Sequence, residues 1–169
     1  MKVILLCFFS IIWISAFSQN ENDLTERKGF TLVLPFDKTY EYVDSIKPGP
    51  YIVHADIIQF YPGESLFVEI EQANGIIKSL KTVKENKNPD KTITISLTQV
   101  SEKHIHQSMM LKIYNPFKKD LNYSAKMFLM KSKKWLDTDV LPIGAGLTAF
   151  ETWPDLIVTM ALYDWKFAK

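Results

Sequence analysis

Thr92-Ile93-Thr94-Ile95-Ser96-Leu97-Thr98-Gln99 is the stretch on which the fold turns. Ile93, Ile95 and Leu97 alternate with Thr94, Ser96 and Thr98. Side chains two apart on an extended chain share a face, so the stretch predicts a strand with one core face and one wet face. The pattern recurs on both sides of it. In 65–72, Leu66, Val68 and Ile70 are set inward and Glu69 and Glu71 outward. Further on, Met109, Leu111 and Ile113 oppose Met110 and Lys112, and in 121–130 Leu121, Tyr123, Ala125, Met127 and Leu129 oppose Asn122, Ser124 and Lys126. Asn74-Gly75 supplies the positive φ angles of a tight hairpin, so 65–72 and 76–83 should pair antiparallel. Polar turn clusters at 85–90 and 115–120 separate the remaining runs. The expectation is an all-β, antiparallel two-layer β-sandwich of seven to nine strands.

The first residues read differently. Lys2, an apolar run over 3–14 interrupted at Ser10, and the small-residue exit Ser15-Ala16-Phe17-Ser18 have the layout of a secretory signal peptide. That run is shorter than the roughly 20 apolar residues of a membrane-spanning helix, so no integral membrane protein is expected. Removing 18 residues from 169 leaves 151, the size of one domain. The twenty basic residues become nineteen, matching nineteen acidic ones, which argues against a nucleic-acid binder. Cys7 leaves with the signal peptide, so disulfides and thiol chemistry are excluded from the mature chain. The resulting division is a signal peptide at 1–18, a flexible charged leader at 19–29 and one β-sandwich domain at 30–169, exported to a periplasm or secreted.

Two stretches stand apart. The connection 131–155 is long for a compact domain, and 140–143 and 147–150 within it have the composition of short edge strands. In 156–167 the even positions Leu156, Val158, Met160 and Leu162 are apolar, but so are Ile157, Ala161, Tyr163, Trp165 and Phe167. A strand apolar on both faces is covered on both, and the expected cover is the long connection, with Trp135 or Trp153 over Tyr163 and Trp165. Without a cover, those aromatics would form a binding patch.

The segment Leu111-Lys112-Ile113-Tyr114-Asn115-Pro116 followed by Leu121-Asn122-Tyr123-Ser124-Ala125-Lys126-Met127 resembles paired strands of bacterial immunoglobulin-like sandwich domains. Pro62-Gly63-Glu64-Ser65 is similar to the turns that open strands in such domains. The resemblance implies an immunoglobulin-like architecture and no particular activity, since the paired cysteines and core tryptophan of antibody-type domains are absent.

No Gly-x-Ser-x-Gly elbow, His-Glu-x-x-His, phosphate loop or EF-hand pattern occurs. Gly144-Ala145-Gly146 lacks the third glycine of a dinucleotide site. His104 and His106 are two apart, and if extended they share a face with Met110; imidazoles with a thioether suit copper, and imidazoles alone could begin a zinc site. Glu69 with Glu71, and Asp137 with Asp139, are expected on solvated surface. Lys131, Lys133 and Lys134 form a basic cluster that serves solubility or meets an acidic partner. Trp135, Trp153, Tyr163 and Trp165 are the candidate ligand-binding aromatics, as a platform for sugar rings or as core. The functional expectation is an exported, non-enzymatic β-sandwich without cofactor, a binding or accessory module for a protein or glycan. The alternatives are a carbohydrate-binding module on the tryptophans and a periplasmic metal protein using His104, His106 and Met110.

Overall fold

The computed structural model describes residues 21–54 and 56–168. The expected signal peptide, Cys7 included, lies outside the described residues. The described chain forms strands numbered in order: β1 Glu26–Arg27, β2 Phe30–Pro35, β3 Glu41–Ile46, β4 Gly49–Pro50, β5 Ile52–His54, β6 Ile57–Phe60 and β7 Ser65–Ala73. They continue with β8 Ile76–Val83, β9 Thr92–Glu102, β10 Ile105–Tyr114, β11 Leu121–Leu129, β12 Lys134–Thr138, β13 Thr148–Trp153 and β14 Ile157–Phe167.

Ten of these strands make two five-stranded antiparallel sheets, ordered β13-β10-β9-β7-β8 and β12-β11-β14-β6-β5. The other four pair as β2 with β3 and β1 with β4. The all-β, two-sheet expectation holds, but seven to nine strands is too few. The marginal strands β5 and β12 expose most of their residues on both faces and so leave no alternation to read. The expected strand at 140–143 is only a bridge between Ile143 and Leu121, while 147–150 overlaps β13.

The core lies between the sheets. Ile93, Ile95, Leu97, Leu66, Val68, Ile70, Met109, Leu111 and Ile113 are buried from the first sheet, opposite Leu121, Tyr123, Ala125, Met127, Leu129, Met160 and Leu162 of the second. Each such aliphatic side chain contributes roughly 1.5–3 kcal/mol by leaving water. A one-residue slip of β9 would turn Thr94 and Ser96 into this space, which is why the register is specified. The β7–β8 hairpin closes through Asn74 and Gly75 at φ 55° and 75°, as their sequence requires. Glu69 departs from its expected solvated position: the 84–91 loop buries it, with Asn88 Nδ2 donating to Oε1 at 2.7 Å and Lys91 Nζ 3.5 Å from Oε2.

Each open side of the sandwich is closed by an extended segment. On one side, residues 22–27 bond both sheets: Leu24 N donates to Thr82 O at 3.0 Å, Lys84 N to Asn22 O at 2.8 Å, and Tyr51 N to Thr25 O at 3.2 Å. Residues 22–27, which fall within the flexible leader expected at 19–29, are thus docked on the sandwich. Their anchor is Arg27, 6% exposed, whose Nε lies 3.2 Å from Glu64 Oε1 and whose Nη1 and Nη2 donate to the Pro50 and Gln59 carbonyls. The guanidinium lies 4.7 Å from the Tyr51 ring centre and 5.0 Å from that of Tyr61. On the other side, Trp153 Nε1 donates to Thr138 Oγ1 at 2.9 Å, and Ile143 and Leu121 exchange backbone bonds of 2.9 Å.

β14 explains its own mixed pattern. Register shifts opposite Phe128/Leu129 and Asn122/Ser124 break the period of two, with Asp164 at φ 56° inside the second. Ile157, Met160, Leu162 and Trp165 consequently all reach the inter-sheet core, while Leu156 and Val158 face outward. The cover on that outer face is not the long connection. It is the β2–β3 hairpin, whose Leu32, Leu34 and Ile46 pack on Leu156 and Val158 with Tyr61, Phe128 and Met130 around them.

Candidate functional site

The hairpin covers only one end of the second sheet's outer face. Beyond it, the register lays out a grid of outward side chains. Trp135, Phe128 and Thr159 form the row beside the hairpin; Asp137, Lys126, Ala161 and Gln59 form the next; Ser124 and Tyr163 form the third. Ala161 is the one methyl among long side chains, and the result is a hollow of about 250 Å³. Val53, Ile57, Gln59, Lys126, Trp135 and Tyr163 surround it.

Trp135 stands at its edge, 43% exposed and edge-on to Phe128 with ring centres 5.7 Å apart. Tyr163 is fixed opposite: its hydroxyl donates to Asp137 Oδ1 at 2.9 Å, and Lys126 Nζ lies 5.7 Å from its ring centre and 3.5 Å from Asp137 Oδ1. Partial burial, with the Asp137 bond second, raises the Tyr163 pKa above its ordinary value, so the phenol remains a donor at neutral pH. The polar groups of the rim thus satisfy one another, and the interior of the hollow is apolar.

The four candidate aromatics are distributed over three places. Trp135 and Tyr163 share the hollow. Trp165 is 7% exposed and stacks on Tyr123 between the sheets at 5.3 Å. Trp153, on β13 at the edge of the first sheet, packs against the core with its indole bonded to Thr138.

The histidine and methionine set is also divided. His104 is not on a strand with His106, because Lys103 and His104 form the β9–β10 turn at φ 49° and 65°. His106 pairs with Ser101 and Ser108 with Val100, so a bulge at Gln107 puts His106 on the face opposite Ser108 and Met110. His106 Nδ1 is 3.0 Å from Gln99 Nε2 and its Nε2 is 3.0 Å from the Pro154 carbonyl. Gln99 also donates to Pro35 O, so the ring accepts from Gln99 and donates to Pro154. Both nitrogens are engaged in tying the hairpin and the β13–β14 loop to the first sheet. No group of three His, Cys, Asp or Glu side chains suited to a metal occurs among the described residues. His104, His106 and Met110 therefore do not form one coordination sphere.

Sequence reasoning did not mark Ala161, Val53, Ile57 or Gln59. The available signal was Ala161 itself, the single small residue in the otherwise bulky 156–163 run. Compared with known proteins, the chain matches no family model, no curated protein and no solved structure.

Proposed function

We propose that this chain is an exported, non-enzymatic module that binds another protein through the open part of the second sheet's outer face. The observation that carries the reading is the Ala161 hollow beside the exposed Trp135. An apolar hollow edged by a large aromatic suits a partner's anchoring side chain, the usual centre of an interface hot spot. Lys126, Asp137 and the Tyr163 hydroxyl already bond one another, which leaves few groups for the several hydroxyls of a sugar. The non-enzymatic part is supported by His106, whose two nitrogens are committed to structure. The immunoglobulin-like relationship belongs to the same proposal. Its support is the crossing from β10 in one sheet to β11 in the other at 115–120 and the inward Tyr123 next to it, although the Tyr123 hydroxyl lacks the backbone bond of a tyrosine corner.

The test is affinity capture with the wild-type chain and Ala161→Trp, which fills the hollow from its floor. A protein held by the wild type and lost from the variant, with both equally stable, supports the reading. The same proteins held by both would overturn it. The open indole of Trp135 favours a glycan as the second reading, and hits on a glycan array abolished by Trp135→Ala would move the ligand class to sugars.

A further inference from the structure

We infer that the partner engages this face as an extended segment added to the free edge of β3, lying along the groove beside Phe128 and Met130. The inference rests on the proposed function above and specifies how the partner is held. Phe36 N donates to Tyr40 O at 2.8 Å, which makes that pair hydrogen-bonded. Bonded pairs alternate along an antiparallel ladder, so 34 with 42, 32 with 44 and 30 with 46 are bonded, and the backbone groups of Glu41, Val43 and Ser45 point away from β2. The Ser45 N–H is taken by Asp44 Oδ1 at 2.8 Å, leaving the Glu41 and Val43 N–H groups and three carbonyls for a guest strand.

β2 offers less. Its outward positions are Thr31, Val33 and Pro35, and Pro35 has no N–H while its carbonyl is taken by Gln99.

The space beside β3 fits the guest. A groove of about 520 Å³ is lined by Tyr42, Val43, Asp44, Phe128, Met130 and Lys133, and Phe128 contacts Trp135 on the next strand out. Side chains of alternate guest residues would meet Phe128, Met130 and Trp135, as strand-addition complexes take alternate side chains into pockets. Lys131, Lys133 and Lys134 stand at the turn closing this groove and have no acidic partner among the described residues. Charge complementarity therefore assigns a guest with alternating apolar residues and an acidic flank. A second copy fits poorly: β3 packs above β11, with β12 beyond it, so a second β3 would bring its own β12 against this one.

The experiment pans a random linear peptide library against the full chain. Enriched peptides are then measured by fluorescence polarisation and by hydrogen exchange of the protein amides. Alternating apolar peptides with acidic flanks are expected, protecting the Glu41 and Val43 amides. Val43→Pro removes one outward N–H where β2 takes no bond, and should weaken them at least about tenfold; Lys133→Glu with Lys134→Glu should weaken them in a salt-dependent way. No enrichment, or peptides indifferent to Val43→Pro, would overturn strand addition. Peptides lost in Ala161→Trp but not in Val43→Pro would do so while leaving the hollow as the site. Protection of the same amides that rises with protein concentration alone would assign the edge to a second copy and equally overturn the inference.

Discussion

Arg27→Ala tests whether the N-terminal segment is part of the fold in solution. The guanidinium is buried, bonded to Glu64 and to two backbone carbonyls, and flanked by the rings of Tyr51 and Tyr61. Truncation leaves the Glu64 carboxylate, itself only 12% exposed, without its counter-charge and with the Tyr61 N–H and the Tyr51 hydroxyl as its remaining partners. Removing one partner of a buried pair costs about 3–5 kcal/mol, because the other charge remains buried without compensation. A chain of this size loses about 2–4 °C of melting temperature per kcal/mol, so a fall of roughly 6–20 °C is expected. The assay is thermal and urea unfolding at pH 7 followed by tryptophan fluorescence, alongside limited proteolysis of residues 21–29. Arg27→Met with Glu64→Gln should lose less than Arg27→Met alone, since the double change removes both charges together. A cost below about 1 kcal/mol, the range of exposed ion pairs, with unchanged proteolysis, would refute the reasoning and return the segment to a loose leader.

Three further outcomes are expected. The Tyr123 hydroxyl is buried without a partner, so Tyr123→Phe should be neutral or stabilising by up to about 1 kcal/mol in urea unfolding at pH 7. Burial, with Glu151 second, raises the Tyr123 pKa above 10, so the fold favours the protonated phenol: its contribution is full below about pH 10 and declines as pH rises toward the folded value. Tyr123→Phe should flatten the alkaline limb of a stability profile by about 1.4 kcal/mol per pH unit above pH 10, and an unchanged limb would count against that burial. His106→Ala should cost about 1–3 kcal/mol by freeing Gln99 and the Pro154 carbonyl, whereas His104→Ala in its exposed turn should stay within about 0.5 kcal/mol, both measured by thermal melts. Asn115 is fully buried, donates to the carbonyls of Lys119, Ile143 and Gly144 and accepts from Phe117 N, so Asn115→Ala should cost at least about 2 kcal/mol in the same assay.

What could be read in advance follows from where one face was buried and the other wet. β9 over 93–98, β10 from Ser108 onward and β11 alternate cleanly because each packs once against the opposing sheet, and β7 does so except at Glu69, which the 84–91 loop buries. β14 hides its faces behind two register shifts, neither marked by glycine or proline. The His104-Ile105-His106 spacing implies a shared face only for extended chain, and Lys103 and His104 adopt positive φ without glycine. Residues 21–28 look soluble by composition, and their docking depends on Arg27 finding acceptors more than twenty residues away. In the site, the aromatics were legible as a set, but which of them shared a face depended on those same shifts.

The two outer faces of the sandwich differ in a way that fold stability does not require. The first sheet turns Thr94, Ser96 and Thr98 of β9 and Ser108, Lys112 and Tyr114 of β10 outward, together with the exposed Phe150 of β13, whose ring centre lies 5.8 Å from Lys112 Nζ. The second turns Leu156, Val158 and Phe128 outward at one end, where the hairpin buries them, and Trp135, Ala161, Tyr163, Ile57 and Val53 at the other, where nothing among the described residues does. A hairpin covering the whole face, or threonines in the uncovered half, would have removed that exposed apolar surface at little cost to the core. The hairpin stops short, and the edge of its outer strand lies beside Phe128, whose ring meets the uncovered Trp135. A surface with both an apolar floor and an open backbone edge has the two features that an added strand uses, main-chain hydrogen bonds for affinity and pockets for alternate side chains, and the proposed guest would use the edge of β3 and the hollow at Ala161 together.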